Sequence, residues 1–192
     1  MLTTFFLRGL QRPASRTAHI CMSGCLFCLR HWKLTTFSRV PAIKIAQFLA
    51  AGCHVIVLLA DIHGFLDNLK APVDLVNHRV EFYELTISSL LRAVGVSTQL
   101  KNLTIVRGSS YQKTAEYIMD VYKLSSCISE HEAKRAGAEI VKQSTDSPAL
   151  SSLLYPILQV LDEQYLDCDA EFGGKLHQNL ISSRLVSHLN RT

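Results

Sequence analysis

Two groups of polar residues in this chain could carry chemistry, and the first crowds the stretch DIHGFLDN: Asp61, His63, Asp67 and Asn68. A carboxylate beside an imidazole can hold a metal ion, transfer a proton or orient a polar ligand. The same residues can also cap and solvate an ordinary loop, because aspartate and asparagine favour turns. The spacing alone leaves both alternatives open.

The second group lies within an apolar helical pattern, YPILQVLD. Tyr155, Gln159 and Asp162 stand at positions i, i+4 and i+7, which share one face of a helix. Burying a phenol, an amide and a carboxylate among leucines costs free energy unless each group is paired. A polar pocket for a small ligand explains this face, and so does a face exposed to water.

The spacing of three N-terminal cysteines, Cys21, Cys25 and Cys28, matches the pattern by which radical-SAM enzymes bind an iron–sulfur cluster. We interpret the match as a coincidence, because nothing downstream resembles the S-adenosylmethionine-binding elements of those enzymes. The other cysteines are scattered along the chain: Cys53, Cys127 and Cys168. Scattered cysteines of this kind are typical of small buried side chains in a reducing compartment.

The composition is that of a globular protein, with 48% hydrophobic and 19% charged residues in a chain of 192. Residues 1–39 differ, because they contain six basic side chains and no acidic one. Such a segment is typical of a mitochondrial presequence, and the alternative is a stretch that does not fold. No apolar segment is long enough to span a bilayer, so we expect no membrane partner.

The apolar patterns predict the elements that must position these residues. VPAIKIAQFLAAG predicts a helix, and HVIVLLA predicts a strand buried on both faces, followed by a loop over DIHGFLDN. A long amphipathic helix is predicted from Pro72 to Val94 and ended by Gly95. LTIVRGSS predicts a second strand.

Further helices are predicted around Gln112–Tyr122, over SEHEAKRAGAEIVKQ and over DSPALSSLLYPILQVLDEQYL. Ser129 and Glu132 form a capping-box pattern, and CDAEF predicts another strand. Alternating helices and strands predict an α/β fold with a doubly wound parallel sheet. Ligands bind at the carboxyl ends of the strands in such sheets, where DIHGFLDN, GSSYQ and EFGG fall.

Five stretches of residues 40–174 resemble tyrosyl-tRNA synthetases of the eukaryotic cytoplasmic and archaeal type: LLADIHGFLDNLKAP, GSSYQ, DVYKLSS, KRAGAEIVKQ and LLYPILQVLDEQYLDCDAEFGG. The resemblance implies a cytoplasmic class I synthetase with a Rossmann-type catalytic domain. It implies activation of tyrosine with ATP, transfer to tRNA(Tyr), and magnesium that enters with ATP, without a metal held by protein ligands.

The resemblance also implies roles for individual residues. Tyr155 and Gln159 would hold the ammonium group of tyrosine, and Asp162 would accept a hydrogen bond from its phenolic hydroxyl. His63 and Gln112 match positions that line the same pocket.

Two further family features fall on this chain. Gly173 and Gly174 match the turn that lets the ribose of the nucleotide approach the backbone. The segment 123–142 resembles the insertion that forms the homodimer interface and meets the tRNA acceptor stem.

The chain departs from the family at both ends of the resemblance. HWKLTTFSR stands where the family has its first strand and its HIGH-type signature, and the chain ends before a KMSKS loop. We therefore divide it into a basic leader that does not fold (1–39), a catalytic-domain segment with a sheet incomplete at both ends (40–174) and a divergent tail (175–192).

The missing signatures supply electrostatic stabilisation of the reacting phosphorus, so we expect activation of tyrosine to be impaired by orders of magnitude. The alternative function is a non-catalytic fragment that binds a synthetase subunit or tRNA.

Overall fold

The computed structural model describes five stretches of the chain: residues 5–7, 17–22, 39–66, 72–137 and 149–172. Strands within them form one sheet: β1 Phe5–Leu7, β2 His19–Met22, β3 His54–Leu59, β4 Leu103–Arg107 and β5 Ala170–Phe172. Their order across the sheet is β1-β5-β2-β3-β4. Strands β5, β2, β3 and β4 run parallel, and β1 joins the edge antiparallel to β5.

The helices of the described stretches are α1 Arg39–Ala50, α2 Asp61–Leu66, α3 Val73–Ala93, α4 Ala115–Cys127, α5 Glu130–Gly137 and α6 Leu150–Tyr165. A 3₁₀ turn, Gly108–Ser110, follows β4. None of the helices in these stretches is both long enough and apolar enough to cross a bilayer.

Strand β3 is buried on both faces, as its continuous apolar sequence predicts. Val55 and Val57 pack into a cluster with residues of α1 and α3 on one side of the sheet. Ile56 and Leu58 point to the opposite side, where Cys168 packs on them just after α6. A parallel sheet with both faces covered confirms the predicted α/β fold.

The predicted helix ends are confirmed at two places. Gly95 follows α3 with a φ of 84°, and Val96 donates to the carbonyl oxygen of Leu91 at 2.9 Å, which closes the helix. At the start of α5, the amide of Glu132 donates to the Ser129 hydroxyl at 3.3 Å. The amide of Ser129 donates to Glu132 Oε2 at 3.0 Å, which completes the capping box.

The predicted loop after β3 is wrong, because residues Asp61–Leu66 form helix α2. The helix begins directly at the end of the strand, and the amide of Gly64 donates to the carbonyl oxygen of Ala60 at 2.9 Å. Asp61 places a carboxylate at the positive end of the helix dipole, which favours the helix.

The expectation that the leader does not fold is wrong for two of its parts. β1 and β2 both come from residues 1–39, and β2 occupies the position between β3 and β5. In β2, Ile20 and Cys21 are buried on opposite faces of the sheet, in two separate apolar clusters. The sheet therefore has a strand where we expected a gap, because an alternating apolar pair satisfies both faces.

Candidate ligand-binding site

Helix α6 buries all three of its candidate polar residues. Tyr155 is 3% exposed, Gln159 is 4% exposed and Asp162 is 1% exposed. The alternative of a face exposed to water is therefore wrong. Among the three, the carboxyl group of Asp162 costs the most to bury, because its charged form loses the most hydration.

Two neighbouring side chains donate hydrogen bonds to Asp162. Gln112 Nε2 lies 2.8 Å from Oδ1 and 2.9 Å from Oδ2, and the Tyr117 hydroxyl lies 2.8 Å from Oδ1. Burial raises the pKa of Asp162, against the opposing effects of His63 and of these donors. The carboxyl group is held in one orientation by donors from two other segments of the chain.

His63, on helix α2, also lies next to Asp162. Its Nδ1 lies 3.6 Å from Asp162 Oδ2, and its ring meets the Tyr155 ring edge-on with centroids 4.7 Å apart. Both ring nitrogens are buried, and neither has a hydrogen-bond partner among the described residues. A buried imidazole without a partner is a group that a polar ligand can satisfy.

Gly108 allows the loop after β4 to bring Gln112 into the site. A Cβ atom at this position would lie 2.6 Å from Gln112 Oε1 and 3.0 Å from Asp61 Oδ1. That Gln112 oxygen is buried without a hydrogen-bond donor in the described part of the chain. Only glycine leaves room for this approach of the backbone.

Asp61 does not take part in the site, although the sequence made it a candidate. Its Oδ1 accepts hydrogen bonds from the amides of Ser109 at 2.8 Å and Ile62 at 3.0 Å. It therefore ties the end of β3 to the 3₁₀ turn after β4, which is a structural role. Asp67 and Asn68 lie outside the described residues.

The sequence predicted no role for two tyrosines near Asp162, Tyr111 and Tyr117, or for Tyr165, which packs on both. The Tyr117 ring lies 5.7 Å from that of Tyr111 and 4.9 Å from that of Tyr165, measured between centroids. Burial first, and then the charge of Asp162, raise the pKa of Tyr111 and of Tyr117. Tyr117 fits the apolar period of its helix and carries no local sign of this role.

We call this group of residues the Asp162 pocket: His63, Gln112, Tyr117, Tyr155, Gln159 and Asp162. It combines a buried carboxylate, an imidazole and two amides with aromatic walls. That set suits a small ligand that has both hydrogen-bonding groups and an aromatic ring. Gly173 and Gly174 lie outside the described residues.

The cysteine pattern does not assemble a metal site within the described residues. Cys21 is buried in the sheet beside Ile56 and Cys168, and Cys25 and Cys28 lie outside the described ranges. No group of three histidines, cysteines or carboxylates that could hold a metal is present in those ranges.

A parallel α/β sheet with a buried polar cluster beyond the carboxyl ends of its strands defines a Rossmann-type domain. The family model for tRNA synthetases class I (W and Y) matches residues 38–184. The chain belongs to this family. Strands β1 and β2 precede the matched residues.

Relatives within this family share high identity with the chain. The cytoplasmic tyrosine–tRNA ligase of Saccharomyces cerevisiae is 55% identical over 135 residues, which cover 70% of this chain and 34% of the relative. The cytoplasmic tyrosine–tRNA ligase of Danio rerio is also 55% identical over 135 residues, which cover 70% of this chain and 25% of the relative. The chain thus spans a quarter to a third of these relatives.

A solved structure shares the fold. The tyrosyl-tRNA synthetase from Archaeoglobus fulgidus, in complex with L-tyrosine, superposes with a TM-score of 0.77 at 23% identity. The match covers 92% of this chain and 53% of that protein.

Proposed function

We propose that the Asp162 pocket binds L-tyrosine and that the chain is a catalytic-domain segment of a tyrosine–tRNA ligase. The observation that carries the proposal is the buried Asp162 carboxyl group, which Gln112 and Tyr117 orient by hydrogen bonds. The naming of the relatives as tyrosine–tRNA ligases supports it, and so does the L-tyrosine complex of the solved structure with this fold.

In this proposal Asp162 accepts a hydrogen bond from the phenolic hydroxyl of the substrate, while Tyr155 and Gln159 hold its ammonium group. His63 and Gln112 line the pocket, and their buried nitrogen and oxygen atoms offer further partners. Phenylalanine lacks the hydroxyl, so it would form one hydrogen bond fewer in the site and bind more weakly than tyrosine. The tyrosyl enzyme is itself the standard example of such discrimination.

The full activity in this proposal is ATP-dependent activation of tyrosine followed by transfer to tRNA(Tyr). Gly173 and Gly174 would let the ribose of ATP approach the backbone, and magnesium would enter with ATP. The relatives are named cytoplasmic, and we place this chain in the cytoplasm too. Mitochondria remain the alternative if the leader is a presequence. We keep the division into 1–39, 40–174 and 175–192 as a working proposal.

Binding of the two amino acids tests the pocket. We expect the wild-type chain to bind tyrosine in preference to phenylalanine in calorimetric titrations. Asp162→Asn should weaken tyrosine binding about 10- to 100-fold, because an NH2 donor replaces one of the two acceptor oxygens. Asp74→Asn, on the exposed start of α3, is the matched control and should bind normally. Equal binding of tyrosine by wild type and Asp162→Asn would overturn the proposal.

Tyrosine-dependent exchange between ATP and pyrophosphate measures activation directly. HWKLTTFSR replaces the HIGH-type signature, so we expect very weak exchange from a chain that still binds tyrosine. Strong exchange that disappears in Asp162→Ala would show that other residues replace the missing signature. That result would contradict the expected impairment and leave the tyrosine site intact.

We also propose a homodimer through the segment 123–142. Exposed apolar side chains on the preceding turns of α4 support it, since Met119 is 54% exposed and Tyr122 is 64% exposed. The same surface favours the alternative function, in which a non-catalytic chain binds a full-length synthetase subunit or tRNA. Sedimentation of the chain alone, and with Tyr122→Glu, separates self-association from a monomer that needs another partner.

A further inference from the structure

Strand β2 precedes the residues matched by the family model. It nevertheless lies between β3 and β5, which both belong to the matched segment. We infer that β2 supports the tyrosine site, because its residue Cys21 positions the Tyr111 ring near Asp162. The inference deepens the proposed function, and its positioning role rests on tyrosine being the ligand.

The backbone of β2 is bonded on both sides. Ile20 pairs with Val55 of β3 and with Ala170 of β5. Around this pairing, the amide of His54 donates to the carbonyl oxygen of Ala18 at 2.9 Å, and the amide of Asp169 donates to that of His19 at 2.8 Å. A strand with two neighbours leaves two edges unpaired when it is removed.

A side-chain hydrogen bond strengthens the link to the segment before β5. The amide of His19 donates to Asp169 Oδ2 at 2.8 Å, across 150 positions of sequence. This contact anchors the start of β2 directly to the turn that follows α6. β2 is therefore joined to the turn between α6 and β5.

Cys21 connects β2 to the pocket. Its side chain is buried in the cluster that also contains Leu58 and Cys168, and Tyr111 packs against that cluster. The Tyr111 ring in turn stacks on Tyr165 with centroids 6.1 Å apart. The Tyr111 ring also meets the Tyr117 ring edge-on, and Tyr117 donates to Asp162. A larger side chain at position 21 would therefore displace a ring that packs on a donor to Asp162.

Hydrogen exchange of the full chain tests the strand without reference to any ligand. We expect the amides of residues 19–22 to be protected to a similar degree as those of β3, because both are interior strands. Exchange of residues 19–22 at the rate of an unfolded peptide would overturn the inference.

Selectivity for tyrosine over phenylalanine tests the positioning role. We expect Cys21→Leu to lower this selectivity about tenfold through a displaced Tyr111. Ala50→Leu, at an exposed position at the end of α1, is the matched control and should leave the selectivity unchanged. Cys21→Ser keeps a side chain of similar volume and should retain the wild-type selectivity. A general loss of stability would weaken the binding of both amino acids alike.

If Cys21→Leu does not fold, Cys21→Ala takes its place. It removes the sulfur that supports the ring, and we expect a smaller loss of selectivity in the same direction. Unchanged selectivity in a folded Cys21→Leu or Cys21→Ala chain overturns the positioning role. A wild-type chain that has a protected β2 and binds no tyrosine overturns the proposed function instead, so the two failures are distinguishable.

Discussion

Asp162 is held at the centre of the site at a cost to the fold. Its carboxyl group is almost fully removed from water, and its pKa is raised because burial outweighs the donors around it. A residue that weakens the folded state at neutral pH, yet has its orientation set by Gln112 and Tyr117, has the character of a binding group.

The pH dependence of the free energy of unfolding should reveal the cost of burying Asp162. A raised pKa means that the folded state binds the Asp162 proton more tightly than the unfolded state does. The contribution of Asp162 to the free energy of unfolding should therefore rise as the pH falls through the raised value towards the ordinary value of 3.8. Urea unfolding of wild type and Asp162→Asn between pH 7 and pH 4 measures it.

The difference between the two proteins isolates Asp162 from the other acids of the chain. We expect wild type to gain stability relative to Asp162→Asn as the pH is lowered. A difference that stays constant with pH would mean that Asp162 is not perturbed by burial.

Gly108 offers a second prediction for a single residue. In Gly108→Ala the new methyl group would contact Gln112 Oε1 and Asp61 Oδ1, so the Gln112 amide must move away from Asp162. We expect a loss of stability of about 1–3 kcal/mol and weaker tyrosine binding. Calorimetric titration and urea unfolding measure the two effects. Lys113→Ala, at an exposed neighbour, should change neither.

At the scale of elements, a histidine pair links β2 to β3. The rings of His19 and His54 lie 5.0 Å apart between centroids, and His54 Nε2 is 2.9 Å from the Thr104 hydroxyl of β4. Burial, and then the nearby His19, lower the pKa of His54 from its ordinary value of 6.5. Asp169, whose carboxylate accepts from the His19 amide, is the acidic group beside this pair.

The pair should make the packing of β2 sensitive to acid. A lowered pKa means that the unfolded state binds the proton first, so the contribution of His54 is present above pH 6.5 and is lost as the pH falls below it. We expect His54→Gln to flatten the fall in unfolding free energy between pH 7 and pH 5.5. His78→Gln, on the exposed side of α3, should retain the wild-type dependence.

Local sequence patterns correctly predicted those elements whose pattern lies within the element itself. The apolar run of β3, the period of α3 and the capping box of Ser129 are each contained within a few residues. β2 has only four residues inside a basic stretch, and its partner Asp169 is distant in sequence. Tyr117 shows the same limit, because its hydroxyl meets Asp162 only through tertiary packing. The residues on α6 follow from helical spacing, and Gln112 followed only from the family resemblance. Tyr117, which also orients Asp162, was not predicted.

At the scale of the whole molecule, the two N-terminal strands should differ in importance. β1 is an antiparallel edge strand with three residue pairs to β5, whereas β2 has neighbours on both sides. We expect a chain without residues 1–8 to unfold cooperatively and a chain without residues 1–22 to lose cooperative unfolding. Circular dichroism during urea titration compares them. Equal behaviour of the two truncated chains would contradict the central position of β2.

The contact between His19 and Asp169 also governs when the domain can form on the ribosome. These residues are 150 positions apart, so β2 leaves the exit tunnel long before the strand on its other side has been made. At roughly 5–20 residues per second the wait is about 8–30 s. During that time one flank of the growing sheet is open, and the nascent chain depends on chaperones or on fast completion to avoid pairing with another molecule.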